Sequence, residues 1–227
     1  MSLNVIMLGP PASGKGTQAI RLAQARGIPK ISTGDILREA GKAGTALGLK
    51  AKALMDRGEL VSDEDMVNIV RERLSRPDAQ HGFILDGFPR TVSQAQTLDT
   101  MLDRQPLVII DLAVPDSELI HRMEERRVCS MCGRNAEPGA ALSDTCARCG
   151  GTMVMRADDG DVNVRQHRLE VYKRESKPLL DYYRPRPTFR SINGAHDPEK
   201  VASDLEAAID SMLPASVRAS GTPGRLR

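Results

Sequence analysis

The chain has 227 residues, of which 40% are hydrophobic and 27% charged, with 32 basic and 30 acidic side chains giving a formal net charge of +2. That length exceeds a minimal module and falls short of two full domains, so one core carrying insertions is expected. Basic residues are scattered rather than blocked, which argues against bulk nucleic-acid binding, and no apolar run approaches the roughly 20 residues needed to span a bilayer.

The first element follows at once. Asn4-Val5-Ile6-Met7-Leu8 is an apolar run ending in Gly-Pro-Pro, the pattern of a buried central strand. No charged n-region or cleavage site precedes it, so a cytoplasmic location is expected. A Gly-rich turn and a helical stretch come next. Further apolar runs at 83–85, 107–112 and, more weakly, 189–192 alternate with long helical patterns, which predicts a parallel sheet covered on both faces. Two segments break this rhythm: 34–63, helical and rich in small residues, and 128–161, rich in Gly, Pro and Cys. Both read as insertions at strand ends, where open parallel sheets bind ligands and where an insertion can close over them. The core then comprises 1–33, 64–127 and 162–213, and 214–227 has the composition of a disordered tail.

The sharpest motif is Gly9-Pro10-Pro11-Ala12-Ser13-Gly14-Lys15-Gly16-Thr17. It departs from G-x-x-x-x-G-K-[ST] in having Gly16 after the lysine, so that Thr17 stands one place late. A strand, glycines that let backbone N–H groups converge, a lysine and a helix N-terminus remain, and together they cradle phosphates. Of the basic residues, 24 are Arg and 8 Lys. The guanidinium fork suits planar phosphate groups, although compositional bias produces the same excess.

The Gly-Lys-Gly-Thr ending resembles the form found in nucleoside monophosphate kinases. The resemblance continues through Ile31-Ser32-Thr33-Gly34-Asp35-Ile36-Leu37-Arg38, Leu85-Asp86-Gly87-Phe88-Pro89-Arg90-Thr91 and 122–128. In order and spacing these motifs resemble the adenylate kinase family over essentially residues 3–213. The resemblance implies a P-loop fold with a five-stranded parallel sheet flanked by helices, an AMP-binding insertion at 34–63 and a lid at 128–161. It implies Mg-dependent phosphoryl transfer between ATP and AMP to give ADP; a monomer is the default expectation, and charge and apolar pattern lead to no expected nucleic-acid or membrane partner.

The chemistry of such a site is positioning and charge neutralisation. Lys15 and the loop 9–17 would hold the donor β- and γ-phosphates, and Asp86, after an apolar strand, stands where a carboxylate can hold hydrated Mg²⁺. The resemblance puts AMP against Thr33, Gly34, Arg38, Leu60, Val61, Gly87, Arg90, Gln94, Arg156 and Arg168. Arg38 and Arg90 suit the AMP phosphate, and Gln94 can both donate to and accept from an adenine edge. Thr33 bears on base choice, since related uridylate/cytidylate kinases typically carry Ala there. Arg122 and Arg126, one helical turn apart, would share a face and reach the donor nucleotide and the migrating phosphoryl group. Arg156 matches a lid arginine that Asp158 and Asp159 would orient, arriving when the lid closes. The last family arginine precedes a leucine, which favours Arg168; the spacing from Asp159 is one residue long, so Arg165 competes for the role.

All four cysteines fall in Cys129-x₂-Cys132-x₁₃-Cys146-x₂-Cys149. Two knuckles of this kind close a tetrahedral four-thiolate site, structural rather than catalytic, with zinc the favoured metal and iron the alternative. This is similar to the zinc-bearing form of adenylate kinase lids. Between the pairs, however, 134–144 holds no aromatic residue, where that form commonly shelters the donor adenine with aromatics, so relaxed donor-base selectivity is expected. Two other readings stay open at this point: a UMP or CMP kinase on the same fold, and a zinc-ribbon binding module switched by a nucleotide.

Overall fold

The computed structural model describes residues 2–103, 105–136 and 144–212. Its strands are β1 (Leu3–Leu8), β2 (Lys30–Ser32), β3 (Gly82–Asp86), β4 (Leu107–Ala113), β5 (Arg127–Cys129), β6 (Met153–Met155) and β7 (Phe189–Asn193). Its helices are α1 (Lys15–Arg26), α2 (Thr33–Lys42), α3 (Ala46–Asp56), α4 (Asp63–Leu74), α5 (Val92–Leu102), α6 (Asp116–Glu125), α7 (Val162–Val171), α8 (Pro178–Tyr183) and α9 (Pro198–Met212). The expected tail, 214–227, lies outside the described residues.

Five strands form one parallel sheet in the order β2-β3-β1-β4-β7. Every residue of β1 is buried, as a strand with neighbours on both edges and helices on both faces requires. Alternation splits its side chains between two cores. Ile6 and Leu8 join Ile31, Leu85 and Ile109 under Met66, Val70, Leu98, Leu179 and Tyr183 of α4, α5 and α8. Val5 and Met7 join Ile84, Val108 and Ile110 against Leu22, Val201, Leu205 and Ile209 of α1 and α9. Burying a side chain of this size contributes about 1.5–3 kcal/mol, so the two cores fix the orientation of the sheet relative to every loop at its carboxyl edge.

Helix starts carry local signals. Ser32, Thr45, Ser62, Thr91 and Asp161 each cap the helix that follows, accepting backbone N–H groups of its first turn, and α4 adds Asp63, Glu64 and Asp65 against its positive dipole end. Helix α1 differs: its N-cap is Gly14, with no side-chain cap and no acid in the first turn. Those N–H groups face the crevice beside β1, where the strand order changes direction.

β5 and β6 pair antiparallel as a small separate hairpin, which no sequence signal had marked. Lys42 Nζ at the end of α2 donates to the Met131 carbonyl at 3.3 Å, so segments 34–63 and 128–161 meet.

Candidate active site

The loop after β1 is shaped by backbone that most residues avoid. Gly9 has φ +133°, and a Cβ there would lie 2.7 Å from the Leu112 carbonyl and 2.9 Å from Ser13 Oγ, so glycine is required. Ala12 also takes a positive φ, as does Gly14. Lys15 Nζ folds over this loop, donating to the Gly9 carbonyl at 2.7 Å, the Pro10 carbonyl at 2.6 Å and Ser13 Oγ at 3.3 Å. Burial of the ammonium, opposed by Asp86 and reinforced by Arg90, Arg126 and Arg168, brings its pKa down to about 7. Thr17 is exposed on the first turn of α1.

Asp86 is the last residue of β3. A Cβ on Gly16 would stand 3.4 Å from Asp86 Oδ2, so the glycine that breaks the usual phosphate-loop pattern leaves this carboxylate room beside the loop. Lys30 Nζ lies 3.7 Å from the same oxygen and 3.1 Å from Asp35 Oδ2.

Beside the loop opens a cavity of about 60 Å³. Thr33, Gly34, Arg38, Leu60, Val61, Gly87, Arg90, Gln94, Arg156 and Arg168 all line it, with Met55 and Met66. Thr33 Oγ1 donates to the Gly87 carbonyl at 2.9 Å, and Arg90 Nε donates to the same carbonyl at 2.9 Å. Gln94 is buried and its amide oxygen accepts the Arg90 N–H at 2.8 Å. Arg38 pairs with Asp35, and its Nη1 is buried without a hydrogen-bond partner among the described residues, a donor suited to an anion.

Four guanidinium groups thus line the cavity, and that of Arg126 lies within electrostatic reach of Arg156 and Arg168. Burial, together with Arg168 and Arg156, lowers the Arg90 pKa to about 10; burial and Arg156 do the same for Arg126. The balancing carboxylates come from one turn at Ala157–Asp159. Arg156 Nε lies 2.7 Å from Asp158 Oδ1, Arg168 donates to the Asp158 carbonyl at 3.0 Å and to the Asp159 carboxylate, with its Nη2 3.3 Å from Asp158 Oδ2, and Arg126 Nε donates to Asp159 Oδ2 at 2.6 Å. Burial would raise the Asp158 carboxyl, but Arg156, Arg168 and Arg126 hold it at about 2. Positive charge still exceeds negative, so the cleft favours a polyanion.

The arginines named from sequence do not all converge. Arg165 turns from the cavity, donating to the Asp159 carbonyl at 2.6 Å and to Glu124 Oε1 at 3.0 Å, whereas Arg168 lines it. Arg122 and Arg126 do not share a helical face: α6 ends at Glu125 and Arg126 is extended. Arg126 therefore swings to Asp159, while Arg122 bonds Glu118 and the Gly194 carbonyl, at 2.7 and 2.9 Å.

Comparison with known proteins bears on this arrangement. The family model for adenylate kinase matches residues 7–187. The chain belongs to the adenylate kinase family. It is 46% identical to the adenylate kinase of Archaeoglobus fulgidus over 216 residues, covering 92% of this chain and 98% of that protein. It is likewise 46% identical to that of a Geobacillus species over 209 residues, 89% and 96% of the two chains, and 42% identical to that of Rhizobium etli over 216 residues, 92% and 100%.

The cysteines of this family member form a second centre. All four Sγ atoms lie within 4.8 Å of one another. Cys129 and Cys149 Sγ are 3.4 Å apart and Cys132 and Cys146 Sγ 3.8 Å. A tetrahedron built on metal–sulfur bonds of about 2.3 Å has edges of roughly 3.8 Å, so the donor set fits a zinc-sized ion.

Sequence reasoning missed Lys30 and Asp63. Lys30 carried no signal beyond its place in a three-residue strand. Asp63 reads as one of three acids at a helix start, and only the packing of α4 against α5 brings its carboxylate to Gln94 Nε2, at 2.6 Å.

Proposed function

We infer that the chain catalyses reversible, Mg-dependent transfer of the terminal phosphoryl group of ATP to AMP, yielding two ADP. The observation that carries the reading is the cavity lined by Thr33, Gln94 and four arginines beside the loop 9–17. A switch protein has no use for such a cavity beside its phosphate loop.

In this reading the backbone N–H groups of 9–17 and Lys15 hold the donor phosphates. An oxygen of the AMP phosphate attacks the γ-phosphorus, the bond to the β–γ bridging oxygen breaks, and ADP leaves, so no nucleophilic side chain is required. Arg38 and Arg90 hold the AMP phosphate, and Arg90, Arg126, Arg156 and Arg168 meet the charge spread over the migrating group. Mg²⁺ supplies neutralisation of the β- and γ-phosphate oxygens, and Asp86 is the carboxylate to hold it through water. Arg122 belongs to the donor nucleotide's outer side, beside the loop at Gly194. Asp158 and Asp159 present the lid-side arginines rather than touching nucleotide.

We assign 34–63 as the AMP-binding insertion and 128–161 as the lid, with the four cysteines holding structural zinc. Four free thiols suit the cytoplasm, where they remain reduced. Among the described residues no helix is long and apolar enough to cross a membrane. Both nucleotide sites are built from one chain, and we propose that it acts as a monomer.

The test is phosphoryl transfer from Mg-ATP to AMP, UMP, CMP and GMP in parallel, with products separated by chromatography. ADP formation with AMP alone is the expected result. Preference for UMP or CMP would overturn the roles of Thr33 and Gln94, and no transfer to any acceptor would overturn the reading itself.

A further inference from the structure

Asp63 opens α4 and belongs to none of the motifs that place the nucleotides. Its carboxylate reaches α5. Oδ1 accepts from Gln94 Nε2 at 2.6 Å, and Oδ2 accepts from Thr91 Oγ1 at 2.8 Å, the hydroxyl that also caps α5 by accepting the Gln94 N–H. From the other side, Gln94 Oε1 accepts the Arg90 N–H at 2.8 Å.

These two bonds settle which end of the amide is which. Rotating it by half a turn would set the NH₂ group against the Arg90 N–H and the carbonyl oxygen against a carboxylate oxygen. Both contacts are repulsive, in a site where Gln94 is only 1% exposed. With one N–H given to Asp63 and one lone pair to Arg90, the amide keeps one N–H and one lone pair side by side. Gln94 lines the cavity, so that remaining edge is what a bound base meets.

We propose that Asp63 is a positioning residue for base recognition, holding the Gln94 amide in the one orientation that pairs with adenine and opposes a 6-oxopurine. Adenine offers an acceptor at N1 beside a donor at the 6-amino group; a 6-oxopurine offers a donor at N1 beside an acceptor at O6. The locked amide complements the first pattern, and only the flipped amide complements the second. The proposal rests on the cavity being the AMP site, and it adds to that reading the residue that fixes its selectivity.

Asp63→Asn tests it, because an asparagine there keeps the shape and meets either orientation of the Gln94 amide. AMP is compared with IMP, which has the outline of adenine and the reversed edge. A bond to a charged group is worth enough that the AMP-over-IMP ratio of kcat/KM should fall by about tenfold, through a higher KM for AMP with kcat held within about twofold. Glu64→Gln removes a neighbouring first-turn charge without touching Gln94, and should leave the ratio unchanged. An unchanged ratio in folded Asp63→Asn overturns the proposal, and so does an equal fall in both variants, which would mark a helix-charge effect. If the Asn variant does not fold, Asp63→Ser, which suits a helix start, carries the same expectation. A parent protein that phosphorylates no AMP would overturn the proposed function instead, so the two failures are distinct.

Discussion

Arg126 Nε donates to Asp159 Oδ2 at 2.6 Å, and the Asp159 carboxylate is wholly buried. The bond ties the end of α6 to the turn that leads into α7, and the second carboxylate oxygen takes Arg168. Asp159 thus neutralises two guanidinium groups on opposite sides of the lid segment. Replacing it with Asn keeps the shape and removes the charge. Breaking a buried pair in this way costs about 3–5 kcal/mol, chiefly because the partner cations are left uncompensated. Urea unfolding of Asp159→Asn should show a loss of that order in the free protein. The nucleotide phosphates supply the missing negative charge, so saturating ADP should stabilise the variant more than the parent. Equal stability of the two free proteins would show that the cations relax into solvent.

Arg90 lines the cavity and acts on the Lys15 ammonium through its charge. If it neutralises transition-state charge as arginine fingers do, Arg90→Ala should lower turnover on the order of 10³-fold. Initial rates of ADP formation at saturating ATP and AMP measure this, and near-normal turnover would remove Arg90 from that role.

Much of this site was legible in the chain because its chemistry is local. Gly9 to Thr17 announces a phosphate loop by itself, and β1, β3 and β4 are apolar runs bounded by turn residues. Many of the cavity-lining residues fall in contiguous stretches around Thr33 and Arg90. What escaped depends on contacts between elements. β2 and β5 are three residues each, too short for alternation to register, and each is a strand only because a partner lies beside it. Arg122 and Arg126 looked like neighbours on a helix, but the helix stops between them. The choice between Arg165 and Arg168 turned on spacing; the two stand three residues apart on neighbouring positions of α7, and only their contacts separate them, Arg165 going to the Asp159 carbonyl and Glu124, Arg168 to the Asp159 carboxylate and the cavity. Asp63 is invisible without the packing of α4 on α5.

Lys15 gives a pH-dependent signature. In the unfolded chain its ammonium persists to about 10.5, while in the free folded protein it deprotonates near 7. The unfolded state therefore binds more protons between those values, and the stability contributed at this group rises with pH across that window. Phosphates bound beside Lys15 favour the charged form, so nucleotide binding at pH 8 should take up a proton. Calorimetric titration with ATP in two buffers of different ionisation enthalpy reads this directly. Binding heats that do not depend on the buffer would mean that Lys15 is already charged in the free protein.

The cysteine centre offers the last prediction. β5 and β6 form only a three-pair hairpin, and the hydrophobic cluster beneath it consists of Cys129, Cys146 and Met153 with Ala136 against them. Among the described residues that is too little apolar surface to hold the hairpin by burial alone, so a bound metal would supply much of its folding free energy. The five-stranded sheet draws on two separate cores that contain no cysteine. Removing metal with a chelator under reducing conditions should therefore expose 128–161 to protease and lower turnover, while the main unfolding transition of the sheet stays in place. Metal content measured on the purified protein should approach one zinc per chain before chelation. If the hairpin and the sheet unfold together, with the same midpoint in the presence and absence of metal, the cysteines contribute nothing separate, and the lid is held by the Asp158 and Asp159 ion pairs instead.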